Sequence, residues 1–331
     1  MKNISSHVRS NDTNSVYPPT KAEGIAVCSV FIVADVFIVS GNLLTLVLFA
    51  LGKKLRKKSL FLVINMAFSD LLLGILTLPV YIVITGSSYR LWNFEISRNL
   101  KISFYCVDTA LSQASLISAA FISLERFYAI FWPLKHRTLS TQAYRFGISV
   151  VWVLSILVST IYNLLLWLKS AKECLYFWIP YAVTILLFLC SCNIGIWRKS
   201  QHRAVVSQQN IINSQRLTKA LLLVSVLALI CWLPLVVMNY LYYGHEISAS
   251  WLGLALEIAN ILNYINSCVN PVIYAFKIPE FKRALRFLGT GKKEVSTVMK
   301  YKSREKSSAT VLAFDNQDID TKLLVSTTRE I

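Results

Sequence analysis

Seven long apolar runs alternate with shorter polar segments along this chain. We name the runs span one to span seven in chain order, and they cover residues 25–51, 59–85, 100–131, 145–168, 175–197, 217–243 and 250–276. Each run exceeds the roughly 20 residues that an α-helix needs to cross the hydrocarbon core of a bilayer. The pattern predicts an all-α membrane protein, a bundle of seven transmembrane helices with its two ends on opposite sides of the membrane.

The distribution of basic residues predicts the orientation of the bundle. The chain has 331 residues, of which 55% are hydrophobic and 15% charged, and its net charge is +17. The loops after the odd-numbered spans, together with the C-terminal segment, hold 26 of the 34 Lys and Arg residues, and the other side holds 8. Such an excess is typical of cytoplasmic loops. We therefore expect a multi-pass plasma-membrane protein with an extracellular N-terminus, a cytoplasmic C-terminus and no nucleic-acid partner.

Polar segments flank the predicted bundle at both ends. Residues 1–24 are predicted to form an extracellular tail, which is glycosylated at the two Asn-x-Ser/Thr sequons of Asn3 and Asn11. Residues 25–288 form the seven-transmembrane domain, which closes with FKIPEFKRALRFL, the pattern of a short amphipathic eighth helix on the inner leaflet. Residues 289–331 are polar and rich in Ser and Thr, and they predict a disordered cytoplasmic tail.

Span three carries an acid and a base near opposite ends of one helical stripe. Asp108 and Arg126 are separated by eighteen residues, or five helical turns, and about 27 Å along the axis. Ser115 lies on the same stripe between them. Ionisable groups at membrane depth are costly and usually serve a function, so we expect both to face protein or water.

Polar residues and prolines also interrupt spans two, six and seven. They occur in Asn65-Met66-Ala67-Phe68-Ser69-Asp70, in Cys231-Trp232-Leu233-Pro234, in Asn266-Ser267 and in Asn270-Pro271-Val272-Ile273-Tyr274. A proline inside a helix removes one backbone hydrogen bond and permits a kink. Polar groups at this depth must bond to one another, so we expect partners around Asp70.

In this order, these motifs resemble those of the rhodopsin-like (class A) G-protein-coupled receptors. The resemblance rests on Gly41-Asn42, the segment with Asp70, Glu125-Arg126-Phe127 for the family's Asp/Glu-Arg-Tyr motif, Trp152, Cys231-Trp232-Leu233-Pro234 and Asn270-Pro271-Val272-Ile273-Tyr274. It covers residues 25 to about 288. It implies a receptor, not an enzyme, with an extracellular ligand pocket and a cytoplasmic face that activates a heterotrimeric G protein.

The resemblance also assigns residues to coupling and activation. Arg126 would hold Glu125 at rest and then turn toward the G protein, while Pro234 would let span six swing outward. Phe127, Pro271 and Tyr274 complete the expected activation set. The acid that often restrains this arginine from the start of span six is missing, since Ser214, Gln215 and Arg216 lie there, and the basal activity is therefore an open question.

The resemblance further implies an allosteric sodium site around Asp70. The family positions that line this site are occupied by Asn42, Ser115, Trp232, Asn266, Ser267 and Asn270. Oxygen ligands around one carboxylate suit a hard cation, and sodium would stabilise the inactive packing. The alternative is a water-filled polar network without an ion. No other metal or cofactor is expected.

The expected ligand-binding residues are Asp108, Tyr264 and Trp232. Asp108 matches the aspartate that holds the ammonium group in receptors for biogenic amines, and Tyr264 matches the tyrosine that steadies it. However, Leu235 and Val236 replace the paired aromatic residues of amine receptors, and peptide receptors also use an acid here. A small protonated amine is the first hypothesis, and a peptide, nucleoside or lipid-like ligand is the alternative.

The cysteines depart from the family pattern. The family's cysteine at the top of span three falls on Lys101, and Cys106 and Cys174 can pair only if that end of the span is distorted. Receptors of the melanocortin, cannabinoid and sphingolipid group similarly lack the usual disulfide. This pairing is left open by the sequence.

Three other classes are disfavoured. An opsin needs a lysine at the position of Tyr264. A transporter, the non-receptor alternative, is expected to show repeats or several charges along a pathway, and an enzyme is expected to show a cluster of catalytic groups. The expected partners are an extracellular ligand, a heterotrimeric G protein, receptor kinases and arrestin at the Ser/Thr-rich tail, and the lipid bilayer.

Overall fold

The computed structural model describes residues 20–52, 57–93, 96–169, 171–201, 209–244 and 250–290. The predicted glycosylation sites Asn3 and Asn11 and the tail from residue 291 lie outside these ranges. Within them the regular structure is entirely helical. Seven helices are long and apolar enough to cross a membrane: Lys21–Leu51, Lys58–Ser88, Asn99–Phe131, Thr141–Leu168, Lys172–Lys199, Thr218–Gly244 and Trp251–Lys277. They confirm the seven predicted spans: the first five are extended by a few residues at one or both ends, and the last two are shifted by one residue.

Side-chain caps explain where several spans begin. Span one starts four residues earlier than its apolar run, because Thr20 and Glu23 form a reciprocal capping box. Thr20 Oγ1 accepts a hydrogen bond from the Glu23 amide at 3.2 Å, and the Glu23 carboxylate accepts one from the Thr20 amide at 2.9 Å. Ser97 and Ser140 cap the helices Arg98–Phe131 of span three and Thr141–Leu168 of span four.

Span two is not a uniform α-helix. It consists of a short 3₁₀ turn, Lys58–Leu60, the helix Phe61–Leu72, a π-helical turn, Leu73–Thr77, and the helix Leu78–Ser88. A π turn holds one residue more than an α turn, which rotates the following helix by about 100° around its axis. The rotation decides which side chains of Leu78–Ser88 face the bundle.

The other helices of the described residues come after span three, apart from span four, whose bounds are given above. They are Pro133–Thr138 after span three, Ala171–Gln201, Gln209–Asn239 with a π-helical turn at Tyr240–Gly244, Ser250–Lys277 and Pro279–Thr290. The last one confirms the predicted eighth helix, and its position on the inner leaflet stays a prediction. Residues up to Lys282 belong to one compact unit and those from Arg283 to a second. Within the first unit, Phe281 packs against Tyr274, with ring centroids 5.9 Å apart.

Span three is the most buried of the seven spans and contacts spans two, four, five and six. A core cluster of Val27, Phe31, Ile38, Leu73, Leu78, Leu111 and Tyr264 joins spans one, two, three and seven. Large apolar side chains on the outside remain exposed, as Phe146 (72%) and Val153 (64%) show. Such a continuous apolar surface is expected where lipid, not water, surrounds the protein.

All seven cysteines are free thiols in the structure, including Cys106 and Cys174. Cys174 is buried, and its thiol points toward the Tyr162 carbonyl oxygen, 3.9 Å away. The Cys106 carbonyl oxygen accepts a 2.7 Å hydrogen bond from the Ser159 hydroxyl. The N-terminal part of span three is thus joined to span four by a hydrogen bond.

Candidate functional site

The structure gathers polar side chains from three spans around the Asp70 carboxyl group. Asp70 is fully buried in span two. From span seven, Ser267 Oγ donates to Asp70 Oδ1 at 2.8 Å, and Asn270 Nδ2 donates to Oδ2 at 3.0 Å. From span three, the Ser115 hydroxyl faces the same carboxyl group, although without a hydrogen bond of regular geometry. The expected cluster around Asp70 therefore forms, and it ties spans two, three and seven together.

Several buried polar atoms near the middle of the bundle are left without a protein partner. Asn42 donates through Nδ2 to the carbonyl oxygens of Ile38 at 3.0 Å and Ser267 at 3.1 Å, which joins span one to span seven. Within the described part of the chain, the buried atoms without a partner include Asn42 Oδ1, Ser115 Oγ, Asn266 Oδ1, Trp232 Nε1 and the Tyr274 hydroxyl. Such atoms are costly unless a water or an ion satisfies them. The oxygen atoms of Asn42, Ser115 and Asn266, together with the Asp70 carboxylate, are ligands of the kind that a hard cation prefers.

A second polar site lies in span three, about five turns before Arg126. The Tyr264 hydroxyl donates to Asp108 Oδ1 at 2.8 Å, and Thr77 also approaches this carboxyl group. Tyr264 is 6% exposed, so its hydroxyl is held in place by the packing of span seven. The contact that the resemblance implied between Asp108 and Tyr264 is therefore present.

Glu257 in span seven belongs to the same region, and the sequence analysis missed it. The Tyr81 hydroxyl donates to Glu257 Oε2 at 3.0 Å, and Asn260 Nδ2 donates to the Tyr81 oxygen at 2.9 Å. The signal was available, because an acid in an apolar span, two turns before Tyr264, is as unusual as Asp108. Its partner on span two could not be found from the sequence.

Three aromatic rings pack against one another beside the two acids. Phe31 packs edge-on against Tyr81 at a centroid distance of 5.1 Å and against Tyr264 at 5.7 Å. The Tyr81 and Tyr264 rings are 5.6 Å apart. We call Phe31, Tyr81 and Tyr264 the aromatic cluster. It places both tyrosine hydroxyl groups on one packed unit from spans one, two and seven.

The other end of span three carries a compact ionic cluster. Arg126, which is 4% exposed, donates through Nε and Nη2 to both carboxylate oxygens of Glu125. Glu125 Oε1 also lies 2.8 Å from His136 Nε2 and accepts a 3.0 Å bond from the Tyr144 hydroxyl. His136 comes from the short helix Pro133–Thr138, and the sequence analysis singled out neither His136 nor Tyr144.

Phe127, the residue after this pair, packs between neighbouring aromatic groups. Its ring stacks on Phe131 at a centroid distance of 4.2 Å. It also lies against Gly195 of span five so closely that a Cβ atom at Gly195 would come within 2.6 Å of the Phe127 ring. Glycine is therefore required there for the close approach of spans three and five.

The two expected kink prolines lie inside continuous helices, Pro234 in Gln209–Asn239 and Pro271 in Ser250–Lys277. Pro271 packs on Gly41 of span one, where an added Cβ would lie 3.1 Å from its ring. Trp232 is 3% exposed and lies beside Trp178 of span five, with ring centroids 6.4 Å apart. Trp232 of span six thus packs against span five.

Comparison with known proteins identifies the class. Residues 41–274 match the family described as "7 transmembrane receptor (rhodopsin family)". This match spans most of the chain, which therefore belongs to that family. The protein is a G-protein-coupled receptor and not an enzyme, and its partners are an extracellular ligand and a G protein. The seven apolar helices and these relatives agree with a multi-pass protein of the plasma membrane.

Individual relatives are distant but cover most of the chain. The chain is 24% identical to the chicken adenosine receptor A2b over 299 residues, which is 76% of this chain and 84% of that receptor. It is 26% identical to the mouse growth hormone secretagogue receptor type 1 over 345 residues, covering 89% and 90% of the two chains. It is also 26% identical to the sheep adenosine receptor A3, covering 73% and 82%.

Proposed function

We propose that this receptor binds a protonated amine through Asp108 and transmits the binding event to a heterotrimeric G protein through Glu125 and Arg126. The observation that carries the proposal is the hydrogen bond from Tyr264 to Asp108 Oδ1. The bond orients the carboxylate, which offers about four acceptor sites and can therefore also accept from an ammonium group beside Tyr264 and Thr77. Charge-assisted hydrogen bonds of this kind are about twice as strong as neutral ones.

The orientation of the bundle belongs to the same proposal. The N-terminus is extracellular and the C-terminus cytoplasmic, which places Asp108 nearer the outer surface and Arg126 nearer the inner one. The one-sided distribution of Lys and Arg supports this orientation. It also places the sequons of Asn3 and Asn11 where glycosylation takes place.

In the proposed resting state, Arg126 is bound to Glu125. His136 and Tyr144 bond to the same carboxylate and hold it in place. Activation requires Arg126 to leave Glu125 and face the G protein, while span six moves at Pro234. Phe127, Pro271 and Tyr274 lie in the spans that must repack during this step.

The Asp70 cluster is proposed to hold an allosteric sodium ion. The oxygen atoms come from the side chains of Asp70, Ser115, Asn42, Asn266, Ser267 and Asn270. Trp232 is the remaining residue that lines the proposed site. A bound sodium ion would neutralise the buried carboxylate and favour the packing of spans two, three and seven seen here. A network of water molecules on the same atoms is the alternative.

The C-terminal tail is proposed to recruit receptor kinases and arrestin. Its hydroxyl-bearing residues include Ser307, Ser308, Thr310, Ser326, Thr327 and Thr328. Phosphorylation would add negative charge and strong hydrogen-bond acceptors to a segment rich in Lys and Arg.

A second candidate ligand class is favoured by the relatives. Their names refer to adenosine and to growth hormone secretagogues. A nucleoside or a peptide is therefore the alternative ligand. An uncharged nucleoside leaves Asp108 without a counter-charge, whereas a peptide can supply one through its N-terminus or a basic side chain.

A ligand screen tests the proposal. Monoamines, peptides, nucleosides and lipids are applied to cells expressing the receptor, with cAMP and calcium as readouts, beside cells expressing Asp108→Asn. We expect the hits to be protonated amines that lose potency in the variant. Uncharged agonists that act equally on both proteins would overturn the amine assignment.

A further inference from the structure

Glu257 provides a second carboxylate in the region of the proposed ligand site. It precedes Tyr264 by seven residues on span seven, which is about two turns and roughly 10 Å along the axis. Asp108 is bonded to Tyr264, so the two carboxylates lie at different depths, on the order of 10 Å apart. Both are half-buried, and both belong to helices that cross the membrane.

The two acids are held in the same way. Tyr264 donates to Asp108 Oδ1 at 2.8 Å, and Tyr81 donates to Glu257 Oε2 at 3.0 Å. Both tyrosines belong to the aromatic cluster with Phe31. Neither bond uses Asp108 Oδ2 or Glu257 Oε1. Two oriented carboxylates thus flank one group of aromatic rings.

Among the described residues, no Lys, Arg or His side chain forms an ion pair with Asp108 or Glu257. From residue 220 to residue 276 the sequence contains no Lys or Arg. Two carboxylates at membrane depth without a counter-charge are costly. Aromatic faces within about 6 Å of a cation stabilise it further. Both observations indicate that the ligand supplies the positive charge and that it carries two cationic groups, one for each carboxylate.

We propose that the ligand is a linear aliphatic diamine or polyamine, with one ammonium group at Asp108 and a second at Glu257. This inference rests on the proposed amine-binding function and names its ligand class. With about 3 Å between each nitrogen and its carboxylate, the two nitrogens lie roughly 5–10 Å apart. At roughly 1.25 Å per bond of an extended chain, this separation corresponds to about three to seven methylene groups.

A structural role for Glu257 is the competing explanation. Through Tyr81 and Asn260, Glu257 joins span two to span seven, and this bond alone would account for an acid at that position. The two explanations differ in one measurable respect. A structural acid affects every ligand alike, whereas a second ammonium site affects only ligands with two charges.

The test uses the purified full-length receptor and ligand-induced thermal stabilisation, which reports binding without knowledge of the coupled G protein. The probes are α,ω-diaminoalkanes with about three to eight carbons and n-alkylamines of equal length. We expect the best diamine to reach half-maximal stabilisation at a concentration at least tenfold lower than the matching monoamine. Glu257→Gln should abolish this advantage, so that the diamine and the monoamine become about equally potent, whereas Asp108→Asn should weaken both.

Two further variants keep the test decisive. Tyr81→Phe retains the Glu257 carboxylate but removes its hydrogen bond, so it should reduce the advantage of the diamine partly, and it replaces Glu257→Gln if that variant does not fold. Asp35→Asn removes a half-buried carboxylate from span one and should leave both responses as they are. This control separates the effect of Glu257 from a general loss of negative charge.

The outcomes separate the two proposals. Equal potency of diamines and monoamines on the unmodified receptor, or an equal loss of both in Glu257→Gln, would overturn the diamine inference. Monoamine binding that still depends on Asp108 would then leave the amine proposal standing. If no amine of either kind stabilises the receptor, both proposals fail, and a peptide or nucleoside becomes the better assignment.

Discussion

The Tyr264 hydroxyl donates to Asp108 Oδ1 across 2.8 Å and so connects span seven to span three. One of these residues supplies a charge and the other fixes its direction. Substitution of Asp108 removes the charge, whereas substitution of Tyr264 removes only the bond that orients it. The two substitutions should therefore reduce ligand affinity by different amounts. The first two predictions use this difference.

Asp108→Asn should weaken the binding of an amine agonist by about 2–5 kcal/mol, because the ammonium group loses its charged partner in a desolvated site. Agonist concentration–response curves on cells with matched surface expression measure this loss. The conservative Asp108→Glu keeps the charge and should retain part of the affinity. An amine agonist that binds the unmodified receptor and the Asp108→Asn variant equally well would contradict the assignment.

Tyr264→Phe should cost less, about 0.5–1.5 kcal/mol, since it removes one hydrogen bond and keeps the ring. The ring still packs on Phe31, so we expect the bundle to remain folded. The same concentration–response experiment gives the comparison. A loss larger than that of Asp108→Asn would show that Tyr264 contacts the ligand itself.

Arg126→Ala should abolish the agonist-induced change in cAMP or calcium while the receptor still reaches the cell surface. The arginine is the group that the proposed mechanism presents to the G protein. Surface expression is measured by an epitope tag, and Lys135→Ala, an exposed basic residue nearby, is the matched control. Unchanged signalling in Arg126→Ala would remove the basis for this coupling mechanism.

His136→Ala should raise basal signalling several-fold. The substitution removes one partner of Glu125 Oε1, and a hydrogen bond to a charged group contributes about 1.5–3 kcal/mol. Tyr144→Phe should act in the same direction, because Tyr144 bonds to the same oxygen. Ligand-free cAMP levels at equal expression check both variants. If both variants signal without ligand no more than the unmodified receptor does, Arg126 alone is sufficient to hold Glu125.

Asp70→Asn should remove any dependence of agonist affinity on sodium. The amide preserves the shape of the side chain but lacks the charge that attracts a hard cation. Agonist potency is compared in sodium and in N-methylglucamine buffers of equal ionic strength. A sodium effect of full size in the variant would favour the water network, and Ser267→Ala tests whether loss of one hydrogen bond has a smaller effect.

The sequence by itself determined the class and the depth of the main polar residues. Seven apolar runs can cross a membrane only as helices, because every backbone group must be hydrogen-bonded inside the bilayer. The constant rise of a helix then placed Asp108 and Arg126 about five turns apart on one stripe. The order of the motifs pointed to the receptor family, which the match over residues 41–274 confirms.

The tertiary structure alone decided which side chains meet across different helices. The helical period predicts the face on which a residue lies but not the neighbouring helix that the face will contact. Tyr81 reaches Glu257 on the stretch of span two that follows the π-helical turn, and nothing in the sequence predicted that turn. His136 reaches Glu125 because a short helix folds back after span three. These contacts depend on the rotation and packing of whole helices, which are properties of the assembled bundle.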